Sequence, residues 1–110
     1  MPEKLLRVAG IPALNEEKTI GRVVLLAQKH VDQVFVIDDG SEDMTGQIAE
    51  RLGAKVIRHP QNMGKGEALR SLFSACRDMG ADVLVTLDGD NQHEADEIPL
   101  LIGPLESGSA

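Results

Sequence analysis

Asp88-Gly89-Asp90 directly follows the run Val83-Leu84-Val85-Thr86-Leu87. Carboxylates two residues apart point the same way in an extended segment, and Gly89 between them permits a tight turn. Oxygens so placed suit a hard cation, Mg2+ or Mn2+, with substrate phosphates completing its shell. Gln92 and His93 can add ligands, or hydrogen bonds behind the ligands. The plainer alternative is an acidic turn capping the next helix, since Asp, Gly and Asn are ordinary turn formers. Asp38-Asp39-Gly40-Ser41 ends the run Gln33-Val34-Phe35-Val36-Ile37. Adjacent carboxylates repel unless a positive or hydrogen-bond-donating group arrives. Asp39 is suited to accept from a ribose hydroxyl or a base N–H, and the alternative is a helix cap with a turn glycine. Asn62-Met63-Gly64-Lys65-Gly66 opens a helix, where free N–H groups and Lys65 offer an anion site. Here the alternative is a glycine-rich helix start with a solvated lysine. Neither GxxxxGK[ST] nor GxGxxG occurs.

The elements that must position these residues alternate. Leu5–Ile11 reads as a buried strand stopped by Pro12, and Asn15 as the cap of a helix with Glu16 and Glu17 in its first turn. Ile20, Val23, Val24 and Ala27 recur at helical spacing. Gln33–Asp38 is a second strand. Ser41 or Asp43 caps a short helix through Leu52, with Gly53 beyond it. Lys55–Arg58 is a brief strand, His59–Met63 a loop and Gly64–Met79 a helix closed by Gly80. Asp82–Leu87 is the fourth strand, and a final helix is predicted over Asp96–Leu105. Apolar strands separated by amphipathic helices predict a parallel sheet covered on both faces, with ligands bound beyond the carboxyl ends of the strands. All three acidic clusters fall at such ends.

A chain of 110 residues with 42% apolar residues makes a single domain spanning 1–110. Its core must be aliphatic, because there are two Phe and no Tyr or Trp. A net charge of −7 with scattered Lys and Arg shows no basic stripe, which argues against nucleic acid as a partner. The lone Cys76 rules out an internal disulfide and suits a reducing compartment. The chain carries no long apolar run and no signal-peptide pattern, so the expectation is a soluble, cytoplasmic protein without a membrane segment.

The ordered motifs Pro12-Ala13-Leu14-Asn15-Glu16-Glu17, Asp38-Asp39-Gly40-Ser41-Glu42-Asp43, Asn62-Met63-Gly64-Lys65-Gly66 and Asp88-Gly89-Asp90-Asn91-Gln92-His93 resemble family-2 glycosyltransferases of the GT-A fold. The nearest look-alikes are the dolichol- and polyprenol-phosphate sugar synthases, and the resemblance runs from residue 8 to about residue 105. It implies a three-layer αβα, Rossmann-like domain with strand order 3-2-1-4. It implies that Pro12, Ala13, Leu14 and Glu16 lie along the base and ribose, and that Ile37 and Asp39 contact the base. Asp88, Gly89 and Asp90 become the DxD element. Asp90 and Gln92 are its metal ligands, Asp88 touches ribose or metal, and Lys65 sits near the diphosphate. The implied donor is a UDP-, GDP- or dTDP-linked sugar held through Mg2+ or Mn2+. The metal neutralises the leaving diphosphate during inverting transfer, with a polyprenyl phosphate as the acceptor class.

Two departures stand out. Leu14 replaces the family's usual aromatic, which weakens stacking on the base. The family's second half, with its acceptor site and catalytic carboxylate, has no counterpart in these residues, so a truncated donor-binding module with no catalytic residue of its own is expected. An uncovered edge at Val83–Leu87 further predicts a homodimer. The rival readings are a receiver-like phosphorylation domain, a DxD phosphatase and a non-catalytic nucleotide- or metal-binding scaffold. The first wants its acidic pair after the first strand and a Lys after a fifth. The second wants its nucleophile after the first strand, and the third fits any chain lacking an acceptor site.

Overall fold

Alternate residues of the strands divide the core between two faces of one sheet. Ala9, Ile11 and Ala13 of β1 (Arg7–Ala13), Val34 and Val36 of β2 (Gln33–Asp38) and Val83 and Val85 of β4 (Val83–Thr86) are buried on one face. Against them pack Ile20, Val23, Val24 and Ala27 of α1 (Ile20–Gln28) and Ala49 of α2 (Thr45–Arg51). The opposite face carries Val8, Phe35, Ile37 and Leu84, covered by Ala68, Leu72 and Cys76 of α3 (Lys65–Met79). Period two in the strands and 3.6 in the helices therefore meet in three layers, αβα. The computed structural model describes residues 5–87 and the strand β5 (Leu101–Ile102).

With β3 (Lys55–Arg58) the sheet order is β3-β2-β1-β4-β5. The first four strands are parallel, with register Gly10↔Phe35, Gly10↔Thr86 and Ile37↔Ile57. The expected order 3-2-1-4 is thus the order observed, with one strand added. Gly10 lies under Leu72, whose methyl carbon would sit 2.2 Å from a Cβ at that position. The missing side chain lets Leu72 pack directly on the sheet, and its full burial contributes about 2 kcal/mol.

Three expectations are corrected. β1 continues through Pro12 to Ala13. By strand parity Pro12 faces β4, beyond the last paired residues Gly10 and Thr86, so its missing N–H breaks no ladder bond. Asn15 does not cap α1, which begins at Ile20. Asn15 is instead the one non-glycine residue at positive φ (53°) among those described. The predicted final helix is replaced at Leu101–Ile102 by a strand antiparallel to β4, with Val83↔Ile102 and Leu84↔Leu101. That pairing also covers part of the β4 edge on which the homodimer expectation rested. α3 keeps its expected glycines, with Gly64 at its start (φ 97°) and a left-handed Gly80 (φ 78°) at its end.

Burial pushes the Cys76 thiol up to about 11. Its side chain is fully enclosed in the α3-side core. Ellman's reagent at mildly alkaline pH is therefore expected to leave the native thiol untouched and to modify it at once in denaturant. Rapid modification of the native protein would contradict this packing.

Candidate functional site

The chain leaves β1 and β2 side by side, and the two following loops are stitched together. Asn15 donates its N–H to Ser41 Oγ (2.8 Å), while Glu42 N–H donates to Asn15 Oδ1 (2.8 Å). Glu17 N–H donates to Asp43 Oδ2 (3.2 Å), and Met44 N–H donates to Glu17 Oε1 (3.0 Å). Glu16 N–H donates to Thr45 Oγ1 (2.8 Å). Glu17 thereby takes the N–H of Met44, the residue just before α2, and Asp43 that of Thr45, its first residue, although Glu17 reads in sequence as part of the first turn of α1. Burial alone would raise the Asp43 carboxyl, but bonds from the Thr45 hydroxyl and from the Thr45 and Glu17 N–H groups outweigh it and hold it below its ordinary value.

The stitched loops form one wall of a cavity of about 490 Å³ at the carboxyl ends of the strands. Leu14, Asn15, Asp38 and Ser41–Asp43 stand on this side, and Arg58–Asn62 on the other. The volume is that of a small-molecule site. Its described lining has three carboxylates, Asp38, Glu42 and Asp43, against the single guanidinium of Arg58, with amides from Asn15, Gln47, Gln61 and Asn62. Such a surface receives N–H and O–H donors readily. It repels a bare anion unless a cation is supplied. Gly46 allows the approach of α2, since a Cβ there would lie 2.5 Å from Asp38 Oδ2 and 3.1 Å from Arg58 Nε. Arg58 also pairs with Glu50 at 3.3 Å, an exposed contact of little energetic weight.

Asp38 and Asp39 part company here. Asp38 lies on the cavity side and takes the Ser41 N–H on Oδ1 (3.0 Å). Asp39, only 5% exposed, turns toward α3. Its Oδ1 receives His59 Nδ1–H (2.7 Å) and Met63 N–H (3.0 Å), and its Oδ2 receives Gly64 N–H (3.0 Å). Burial would raise its carboxyl, yet the His59 bond and the two N–H bonds prevail and hold it below its ordinary value.

The sequence-predicted residues are therefore distributed unevenly. Leu14 lines the cavity. Pro12 is half-buried in β1, and the Ala13 methyl belongs to the core. Glu16 contributes its backbone to the loop stitching. Ile37 is wholly buried beneath α3, so its side chain serves the core. Asp39 anchors a loop, and Lys65 is exposed at the first turn of α3. Asp88, Gly89, Asp90 and Gln92 lie outside the described residues; they follow Leu87, whose N–H donates to the Gly10 carbonyl at the carboxyl end of β4. Among the described residues no cluster of three or more His, Cys, Asp or Glu could hold a metal. Asp38, Gln47, Arg58 and His59 line the cavity without having been singled out as contacts. Strand parity was an available signal for Asp38, since it shares a face with Val34 and Val36, whereas Asp39 shares one with Ile37.

A family model described as glycosyl transferase family 2 matches residues 9–110. A UDP-N-acetylglucosamine–dolichyl-phosphate N-acetylglucosaminyltransferase from Methanococcus voltae is 37% identical, over 99% of this chain and 50% of its own length. A glucosyl-3-phosphoglycerate synthase from Mycolicibacterium paratuberculosis is 39% identical, over 89% of this chain and 32% of its own. The chain thus spans half the length of the first relative and a third of the second. Among solved structures, glucosyl-3-phosphoglycerate synthase from Mycobacterium tuberculosis, in complex with Mn2+, UDP and glucosyl-3-phosphoglycerate, matches with a TM-score of 0.66 and 33% identity. That match covers 77% of this chain and 33% of that one. The same enzyme is also similar in its complex with Mg2+ and UDP. Motif order, sheet order and matched span agree: the chain belongs to glycosyltransferase family 2.

Proposed function

We propose that these 110 residues bind a nucleotide-diphosphate sugar, base and ribose in the strand-end cavity and diphosphate on a divalent metal. The observation that carries this reading is the cavity itself: carboxylates and amides placed to accept hydrogen bonds, with one guanidinium, at the carboxyl ends of β1 and β2. Asp38, Asn15 and Gln47 suit the N–H and O–H groups of a base and ribose. An anionic diphosphate needs a cation beside so acidic a lining. The all-oxygen donor set of Asp88 and Asp90, with Gln92, fits Mg2+ or Mn2+, and the metal when bound neutralises the diphosphate as it leaves. UDP is the favoured nucleotide, supported by the mycobacterial relatives that bind it with Mn2+ or Mg2+. Inverting transfer to a polyprenyl phosphate is proposed for the whole protein, on the likeness to the Methanococcus enzyme.

No helix among the described residues is long and apolar enough to cross a membrane, and the buried free thiol of Cys76 supports a reducing, cytoplasmic setting. The expected homodimer is not carried into the proposal, because β5 pairs with Val83 and Leu84 of β4.

Thermal unfolding tests the metal ligands. With Mn2+ present and UDP at a hundredfold excess over Kd, the wild-type chain gains about 2.7 kcal/mol and melts several degrees higher. Asp90→Ala is expected to lose that gain while keeping its unliganded melting temperature. An equal gain in the variant would show that Asp90 holds no metal.

A further inference from the structure

Asp39, His59 and Ser71 form a line of hydrogen bonds from the end of β2 to the middle of α3. His59 Nδ1 lies 2.7 Å from Asp39 Oδ1, and His59 Nε2 lies 2.9 Å from Ser71 Oγ. The His59 and Asp39 side chains are 9% and 7% exposed. An ionised carboxylate only accepts, so the network assigns the Nδ1 proton to the bond with Asp39. Nε2 then bonds the Ser71 hydroxyl, as the acceptor in the neutral ring and as the donor in the protonated one. The same three residue types build nucleophilic triads, but Ser71 sits inside α3, where the surrounding N–H groups are committed to the helix. No paired donors are left there to stabilise an oxyanion, so a hydrolytic reading is set aside.

The line instead reaches the cavity. His59 stands in the far wall, and Asp39 holds the Met63 and Gly64 N–H groups that end the same loop. His59 N–H also donates to the Asp38 carbonyl at 2.9 Å, which ties the loop to the strand carrying the cavity carboxylate. Gly40 lies against this loop, so closely that a Cβ on it would meet the Gln61 carbonyl carbon at 2.4 Å.

We infer that Asp39, His59 and Ser71 are positioning residues, a buried relay that fixes the loop of residues 59–64 as the rigid wall of the nucleotide site. Their effect on nucleotide affinity is exerted through Gln61 and Asn62, which line the cavity. This inference rests on the proposed nucleotide binding, so the test separates the two. Amide hydrogen exchange at Met63 and Gly64 is measured without ligand, and UDP affinity with Mn2+, in the wild type, His59→Ala, Ser71→Ala and Ser71→Thr. His59→Ala is expected to speed both amides and to weaken UDP about tenfold, and Ser71→Ala to do the same less strongly. Ser71→Thr, which keeps the hydroxyl, restores both. In the imidazole 15N spectrum Ser71→Ala shifts the Nε2 resonance while Nδ1 stays protonated. If His59→Ala does not fold, Ser71→Ala and its Thr rescue carry the test. Unchanged exchange at Met63 and Gly64, or full UDP affinity in the folded Ala variants, overturns the relay. If the wild type binds no UDP, the functional reading fails, and the exchange rates still decide whether the relay fixes the loop.

Discussion

Asp39→Ala is expected to destabilise the chain by about 3–5 kcal/mol, a large part of the stability of a domain this size. The carboxylate is 5% exposed and receives three donors: His59 Nδ1–H and the N–H groups of Met63 and Gly64. An alanine leaves the buried His59 Nδ1–H and the Met63 N–H without this acceptor, while the Gly64 N–H keeps Asn62 Oδ1 at 3.0 Å; unmet buried donors are the expensive case. Asn is no remedy, because its amide nitrogen would turn a donor toward another donor. The carboxyl is held below its ordinary value of 3.8 in the folded chain. Its stabilisation is therefore complete above that value and is lost as pH falls through the lower folded value. Urea unfolding should show the full deficit in Asp39→Ala at neutral pH, narrowing as both proteins are acidified below about pH 4. A neutral-pH deficit under about 1 kcal/mol would contradict the bonding described.

Gly40→Ala should rank close behind. Its backbone sits at φ +83°, which costs a residue with a Cβ about 1–2 kcal/mol by itself. The added carbon would also lie 2.4 Å from the Gln61 carbonyl carbon, 2.5 Å from the Asn62 nitrogen and 2.8 Å from the Gln61 Cα. All three are backbone atoms, so the loop must move, at a further cost of about 1–3 kcal/mol. That loop lines the cavity, and nucleotide affinity should fall with stability. Gly64→Ala is the control. Its φ of +97° imposes the strain, but nothing lies within 4 Å of the added carbon. Denaturation midpoints should place Gly40→Ala well below Gly64→Ala. Equal midpoints would mean that the close approach of residues 40 and 61 carries no weight.

What could be read along the chain was what neighbouring residues decide. Gln33–Asp38 and Lys55–Arg58 were legible as strands because each run contrasts with the turn after it, and both boundaries agree with the structure. The helix at 65–79 announced itself through glycines at both ends. The misreadings came where distant segments meet. Asn15 has the chemistry of a helix cap, but the Glu42 N–H from the next loop occupies its side chain. Glu17 reads as part of its own helix yet takes the N–H of Met44, just before another, because β1 and β2 end together and bring Met44 to it. Asp96–Leu105 reads as a helix, yet the backbone of β4 pairs with Leu101 and Ile102 as a strand. Of the pair Asp38 and Asp39, the motif singles out Asp39 for the nucleotide, whereas Asp38 is the one that lines the cavity. The pleat sends one to the cavity and the other to His59, and counting alternate residues from Val34 would have separated them. The residues from Asp88 to Gln92 remain a sequence reading supported by family membership.

The central claim is that nucleotide binding here requires a divalent cation. Isothermal titration of UDP into the 110-residue chain, once with Mn2+ and once with a chelator, tests it most directly. The expected result is saturable binding with Mn2+ and neither heat nor saturation with the chelator, since the acidic lining repels a bare diphosphate. Equal affinity with Mn2+ and in chelator, or no binding under either condition, would contradict the account.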